Sequence, residues 1–247
     1  MDMLREWAMW LAQQVPAGPW RDQIYAYCER GSSSAFWAEP LNAFSNGAFH
    51  VAAILSLIVW VVGSQRRVVD LLLIALVVVI GTGSFLFHTL ATRWAAVADT
   101  APIGIFMVSF LAYAVKRWMG AGWIITIGAL AAFFVMLWQS SVVRCNGGPC
   151  LNGSVAYFPA LGALLLIGLY LMMRRHRAGK YLFSAGVIFA VSLTFRSIDK
   201  SLCPQTVFSI IDVSRPSGTH FIWHILNATL LFVLLMSAVR HGDRRIA

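Results

Sequence analysis

Residues 69–90 read VDLLLIALVVVIGTGSFLFHTL. A run this long and this apolar reads as a helix crossing a bilayer, because spanning about 30 Å of hydrocarbon takes ~20 apolar residues with every backbone polar group satisfied inside the helix. Six further runs share its length and character, at roughly 43–63, 100–115, 122–142, 155–173, 181–198 and 219–239. The whole chain follows suit: its 247 residues are 59% hydrophobic and 12% charged, against about 45–50% and ~25% in soluble domains. The excess is spread over separate runs, so it is not one large core. The expected fold is therefore all-α, a polytopic membrane protein of seven transmembrane helices with a short N-terminal interfacial segment. This divides the chain into an N-terminal segment (1–42), a membrane domain (43–240) and a cytoplasmic tail (241–247). The third span is expected to be short and capped by its neighbours.

Ahead of the first span, Leu4, Trp7, Ala8 and Leu11 share one face of a helix, the pattern of a segment lying in the membrane interface; a frayed tail is the alternative. Met1 to Pro16 carries acids and has no continuous apolar core, so it does not read as a cleavable signal, and insertion is expected to rely on the first span. The formal charge of +9 would suggest nucleic-acid binding in a soluble protein. Here the basic residues sit in short loops, with no basic patch on a soluble fold to display. One set packs tightly against span ends: Arg66, Arg67, Lys116, Arg117, Arg174, Arg175, Arg177, Lys180, Arg240, Arg244 and Arg245. The other is spread over longer segments: Arg5, Arg21, Arg30, Arg93, Arg144, Arg196, Lys200 and Arg215. This bias predicts an external N-terminus and a cytoplasmic C-terminus.

All four cysteines fall on the expected outer side, where disulfides persist. Cys145 and Cys150 bracket Asn-Gly-Gly-Pro, a turn able to close a small ring, which would leave Cys28 and Cys203 for a long-range bridge. Four cysteines allow three pairings, and reduced thiols or a partial metal site at Cys145 and Cys150 stand as alternatives.

Polar residues inside spans are costly and mark function. Ser84 and His88 lie four apart in span two, on one helical face. Span seven opens with Thr219-His220-Phe221-Ile222-Trp223-His224, whose two imidazoles have the i, i+4 spacing that lets both reach one metal ion. Asp99 stands at the start of span three, across the turn Ala91 to Ala98. With span two running outward and spans three and seven inward, all of these share one depth just under the outer surface. Three imidazoles leave a fourth tetrahedral position open, the arrangement of a catalytic zinc. Zinc acidifies water and polarises a carbonyl, Asp99 is placed to move the proton, and Ser84 to hydrogen-bond an oxyanion or orient a ligand. A lone histidine in a helix is more often a packing residue; a third histidine, an acid and a hydroxyl at one depth tip the balance. His50 reads as a hydrogen-bonding residue behind the ligands, His176 and His241 as solvated.

A second polar cluster comprises Tyr27-Cys28-Glu29-Arg30, Ala38-Glu39-Pro40-Leu41-Asn42 and Ser45-Asn46. Glu39, Asn42, Asn46 and His50 follow helical spacing, with Pro40 marking the helix start. Two carboxylates near carbonyls can hold calcium. From the chemistry alone, a helix N-terminus stabilised by acids, with Glu29 or Glu39 paired to Arg30 or Arg196, is favoured.

These residues together resemble the alkaline ceramidases, within the superfamily of seven-span membrane hydrolases that includes the adiponectin receptors. The resemblance runs through Tyr27 to Arg30, Ala38 to Asn42 with Ser45-Asn46, Ser84 to His88, Asp99, Phe195-Arg196 with Asp199 and Cys203, and the His220 to His224 pair. It implies an intramembrane zinc amidase that cleaves the N-acyl bond of ceramide into a sphingoid base and a fatty acid. His88, His220 and His224 would be the zinc ligands, Asp99 the water-activating acid and Ser84 the supporting hydroxyl. It also implies calcium before span one, with Glu29 and Glu39 as acidic ligands and Tyr27 where a backbone carbonyl serves. The sequence departs from that pattern at Ala26 and Gly31, in place of an aspartate and an asparagine, with Asp22 nearby. The family pairs cysteines matching Cys28 and Cys203. The wording of the two N-terminal motifs is similar to prokaryotic members, which points to a prokaryotic cell membrane and to ceramide or another N-acyl lipid as the partner. A seven-span receptor or sensor without turnover is the competing class, but its mark, a large signalling segment, is not evident. A proton-coupled transporter would show internal repeats with broken helices, and none is evident.

Overall fold

A computed structural model describes residues 2–210 and 213–242, without the side chains of residues 208–210 and 213–215. The expected tail at 241–247 therefore lies outside the described residues beyond Gly242, with Arg244 and Arg245; the side chain of Arg215 is likewise not described.

The described residues are mostly helical. After helix α1 (Asp2–Gln14) and an extended segment come α2 (Pro40–Ser45) and α3 (Gly47–Val62), α4 (Val68–Leu90), α5 (Arg93–Tyr113), α6 (Trp123–Ser141), α7 (Phe158–Met173), α8 (Ala178–Ile198) and α9 (His220–His241). Two small antiparallel hairpins, β1–β2 (Arg144–Cys145, Gly148–Pro149) and β3–β4 (Val207–Ile210, Val213–Pro216), sit between helices. Seven stretches are long and apolar enough to span a membrane: Pro40–Val62, Val68–Leu90, Arg93–Trp118, Trp123–Ser141, Cys150–Met173, Ala178–Ile198 and His220–His241. The number and order are those expected. The third span differs: it is 26 residues long, starts at Arg93 rather than near 100, and runs through a π-helical turn from Ala114 to Trp118. The reason is that the α4–α5 connection is only Ala91 and Thr92, with Ala91 in the left-handed conformation at the end of α4. Asp99 is thus nearly two turns inside a helix, not at its start.

Helix α9 is the hub, packed on α8, α3 and α4, while α6 is peripheral. The most apolar window of α9 is 61% buried and that of α6 only 11%. The helix that carries two of the polar residues is therefore also the one most enclosed by others, while α6 offers Trp123, Ile124, Ile127, Phe134 and Trp138 to its surroundings.

Two features bring α4 and α5 together at the right level. Pro102 lies within α5 and has no N–H to give the carbonyl four residues back, that of Ala98. Gly83 of α4 faces that carbonyl so closely that a Cβ there would stand 2.0 Å from Ala98 O and 3.2 Å from Asp99 N. Glycine is required by this approach, which sets Ser84 beside Asp99.

The N-terminal segment straps the end of the bundle where α4 ends and α5 begins. Ile24 N–H donates to Ala91 O at 2.6 Å and Arg93 N–H to Asp22 O at 3.0 Å. Helix α1 is formed, and Ala8 packs with Leu86, Phe87, Leu90 and Ala95 at the ends of α4 and α5. Cys28 is bonded to Cys203 and Cys145 to Cys150, so the two bridges are those the resemblance and the small ring suggested, and the alternatives of free thiols or a metal site at Cys145 and Cys150 fall away.

Candidate metal centre

His88 in the last turn of α4 and His220 and His224 in the first turns of α9 converge, each buried. One ring nitrogen from each lies within 4.8 Å of the others. Ring centroids are 5.2 Å apart for His88–His220, 4.7 Å for His88–His224 and 4.6 Å for His220–His224. This is the only three-member group of potential metal ligands among the described residues.

What holds each ring decides which nitrogen is free. His88 Nδ1 is 2.6 Å from Glu39 Oε2, leaving Nε2, which is buried without a hydrogen-bond partner. His224 Nδ1 is 2.7 Å from Ser45 Oγ, leaving its Nε2. His220 Nδ1 is also buried without a partner, and its ring stacks on Tyr27 at 3.6 Å. Buried polar atoms are almost always paired, so orphaned nitrogens on converging imidazoles fit a metal ion. Carboxylate and hydroxyl partners on the far nitrogens are the outer shell that fixes tautomer and orientation in such sites.

The start of α9 is fixed by Asp199, which follows α8. Its Oδ1 accepts Thr219 N–H at 2.8 Å and His220 N–H at 3.0 Å, and its Oδ2 accepts Cys28 N–H at 3.0 Å. This acid caps the helix that bears the histidine pair and ties it to the strap beside the Cys28–Cys203 bridge. Gly218, at φ +62°, permits the close approach, since a Cβ there would lie 2.1 Å from Asp199 Oδ1.

Beside the histidines, a narrow apolar cavity of about 100 Å³ runs down between the helices. Its polar end is formed by Ser84, Asp99, Tyr27, Arg196, His220 and His224; its long wall by residues such as Phe106, Phe110, Leu182, Leu231 and Leu234. Ser84 stands beside Asp99, and Asp99 lies within electrostatic reach of both His88 and Arg196.

Residue chemistry offered Arg196 only as an ion-pair partner for Glu29 or Glu39, whereas Glu39 pairs with Arg30 and Arg196 turns to Tyr27. It is held by the Tyr27 hydroxyl at 2.8 Å, with Tyr27, Tyr157 and Trp223 rings 5.2–5.6 Å from its guanidinium carbon, and it puts a fixed positive charge at the polar end of the apolar cavity. A readable signal existed: Arg196 is a charge inside a span, and Asp199 follows within three residues.

The residues expected to bind calcium are otherwise engaged. Both Glu29 oxygens accept backbone N–H groups at the start of α2, from Leu41 at 2.7 Å and Asn42 at 2.8 Å. Both Glu39 oxygens are used, by Arg30, by His88 and by Asn42 Nδ2 at 3.0 Å. Donors surround the two carboxylates, which is the setting of a helix cap and an ion pair; as arranged, these groups do not fit a calcium ion. Burial lifts the Glu29 carboxyl to about 7 in spite of its two amide partners. Burial also pushes Glu39 up, but the neighbouring His88 and Arg30 outweigh it and hold Glu39 below the ordinary range.

His50 bonds Asn46 O at 3.3 Å and Thr82 Oγ1 at 3.2 Å, bracing α3 on α4. His176 is not solvated as expected: it is buried, accepts Ala178 N–H at 3.2 Å and packs near Trp118. His241 is half-buried with its ring 5.3 Å from that of Tyr181. Both lie where helix ends meet, so packing claims them before solvent does.

A family model described as Ceramidase matches residues 24–245. Among curated proteins, none matches the chain.

Proposed function

Because the chain belongs to the ceramidase family, we propose that it is an intramembrane zinc-dependent amidohydrolase that cleaves ceramide or a related N-acyl lipid into an amine and a fatty acid. The observation that carries this reading is the convergence of three buried imidazoles, two with orphaned nitrogens, at the polar end of a long apolar cavity. His88, His220 and His224 would hold the ion. Three imidazoles with one open position suit zinc. When bound, such an ion polarises the amide carbonyl and makes water acidic enough to attack it.

The chain's own residues do the rest. The apolar wall from Phe106 to Leu234 takes an alkyl chain and leaves the amide at the histidine level. Asp99 takes a proton from the attacking water and delivers it to the amide nitrogen as the C–N bond breaks, so the water oxygen ends on the acyl carbon and the amine leaves neutral. Ser84, beside Asp99, orients the carboxylate towards the water. Arg196 counters negative charge developing on the acyl oxygen and holds the carboxylic acid product. Enclosure within the bundle strengthens each of these interactions.

The orientation proposed is N-terminus outside and C-terminus cytoplasmic, in a prokaryotic cell membrane. Two disulfides at the end of the bundle that carries the N-terminal strap support it, since such bonds persist in an oxidising compartment. Reporter fusions at the two ends test it, and a cytoplasmic N-terminus would overturn it. The activity is tested by incubating purified protein with ceramide and other N-acyl lipids and identifying products by mass spectrometry, wild type against His220→Ala. Release of amine and fatty acid by the wild type alone is expected; no release from any N-acyl lipid by zinc-loaded wild type would contradict the reading.

A further inference from the structure

The buried side chain of Arg30 has a role that the metal centre alone does not explain. Its guanidinium is completely enclosed. It carries five N–H donors in a rigid fork and meets five oxygens. Nε donates to Glu39 Oε1. Nη1 donates to Ser33 O and Ala35 O, each at 3.2 Å. Nη2 donates to His88 O at 2.9 Å and Thr89 O at 3.3 Å. One carboxylate and four carbonyls around a positive charge resemble the all-oxygen shell that a hard divalent cation gathers, but here a side chain fills its centre.

Two of those carbonyls belong to the last turn of α4, where carbonyls lack helical partners and a cation is favoured. The other Glu39 oxygen is the one on His88 Nδ1. Arg30 therefore grips both ends of one lever: the backbone that carries His88 and the carboxylate that orients its ring. The sequence agrees, because the neighbouring positions 26 and 31 are Ala26 and Gly31, which bring no side-chain oxygen. A divalent ion would have to displace a guanidinium from a buried carboxylate, leaving five donors unsatisfied.

We propose that Arg30 is the built-in cation of this site, standing in place of calcium, and that through Glu39 it positions His88 for metal binding. The inference rests on the three-histidine metal reading. It makes Arg30 a positioning residue, and it separates metal affinity from calcium.

The test uses the purified full-length chain in detergent. Zinc affinity is measured by competition with a chromophoric chelator for wild type, Arg30→Met, Glu39→Gln and the double variant, and melting temperature is followed with and without added calcium. Loss of an outer-shell partner of a ligating histidine typically costs ~10–100-fold in metal affinity, and each single variant is expected to fall in that range. Because Arg30 acts through Glu39, the double variant should bind within about threefold of the weaker single one, the mark of coupled residues. Arg30→Lys keeps the charge with fewer donors and should lose less than Glu39→Gln, which decides the matter if Arg30→Met does not fold. Calcium should leave the wild-type melting temperature unchanged. Multiplying losses in the double variant, wild-type zinc affinity in Arg30→Met, a Lys variant as weak as Glu39→Gln, or stabilisation of wild type by calcium would each overturn the proposal. Failure of wild type to bind zinc at all would instead refute the metal centre itself.

Discussion

Gly83→Ala tests whether catalysis depends on the spacing between α4 and α5. The added Cβ would stand 2.0 Å from the Ala98 carbonyl oxygen, whereas ordinary contact begins at 3.4 Å. The helices must therefore part by up to 1.4 Å (3.4 − 2.0) at this level. Both obstructing groups are backbone, so no rotamer change relieves the clash. Helix α4 is braced by α2, α3 and α9, which leaves α5 as the element that yields. Asp99 then moves off while His88 keeps its place against His220 and His224. Overpacking of this kind costs about 1–3 kcal/mol of stability, and a ~1 Å misplacement of a reacting group costs on the order of 10²-fold in rate. The expected variant melts earlier, keeps its metal and loses roughly a hundredfold in turnover. Metal per chain, melting temperature and initial rate of fatty-acid release on one preparation provide the assay. Wild-type turnover at full metal loading would refute the reasoning, and so would loss of metal in step with activity, because α4 would then be the helix that moved.

Removing the hydroxyl on His224 Nδ1 by Ser45→Ala should weaken zinc binding by ~10-fold, within the usual range for an outer-shell partner, as read by chelator competition; unchanged affinity would deny Ser45 this role. Cys203→Ser opens a bridge across 175 residues and Cys150→Ser one across 5, so the first should lower the melting temperature more, long closures typically contributing ~2–5 kcal/mol; equal shifts would contradict this. Glu29, lifted by burial to about 7, holds its proton more tightly folded than unfolded. Its contribution is therefore fully present below about pH 4.5, the ordinary glutamate value, and is lost as pH rises to ~7. Glu29→Gln should flatten melting temperature against pH across that window, and an unchanged slope would remove the assignment.

Much of this was legible in residue order. Seven apolar runs mark seven spans because a bilayer admits few other backbones. The histidine triad was visible because imidazoles are conspicuous in apolar helices and i, i+4 spacing fixes a shared face. The relations across helices were not. Nothing local shows that Glu39 would face His88, or Ser45 His224, since those contacts depend on how α2 seats against α4 and α9. Arg196 and Asp199 were visible as charges in or beside a span, but their partners, the Tyr27 hydroxyl and the amides of Cys28, Thr219 and His220, come from segments far apart in the chain. The start of span three was misplaced because Trp94, Ala95 and Ala96 read as a turn between two apolar runs. In the fold they are the first turns of α5, packed beneath the strap.

The most direct measurement of the central claim pairs metal content with turnover in Asp99→Asn. The substitution keeps size and most hydrogen bonding but removes the base beside Ser84. With the three histidines intact, the variant should hold about one zinc per chain while release of fatty acid from an N-acyl lipid falls by roughly 10²–10⁴-fold, the usual worth of general acid–base catalysis. Near-normal hydrolysis by zinc-loaded Asp99→Asn would contradict the account.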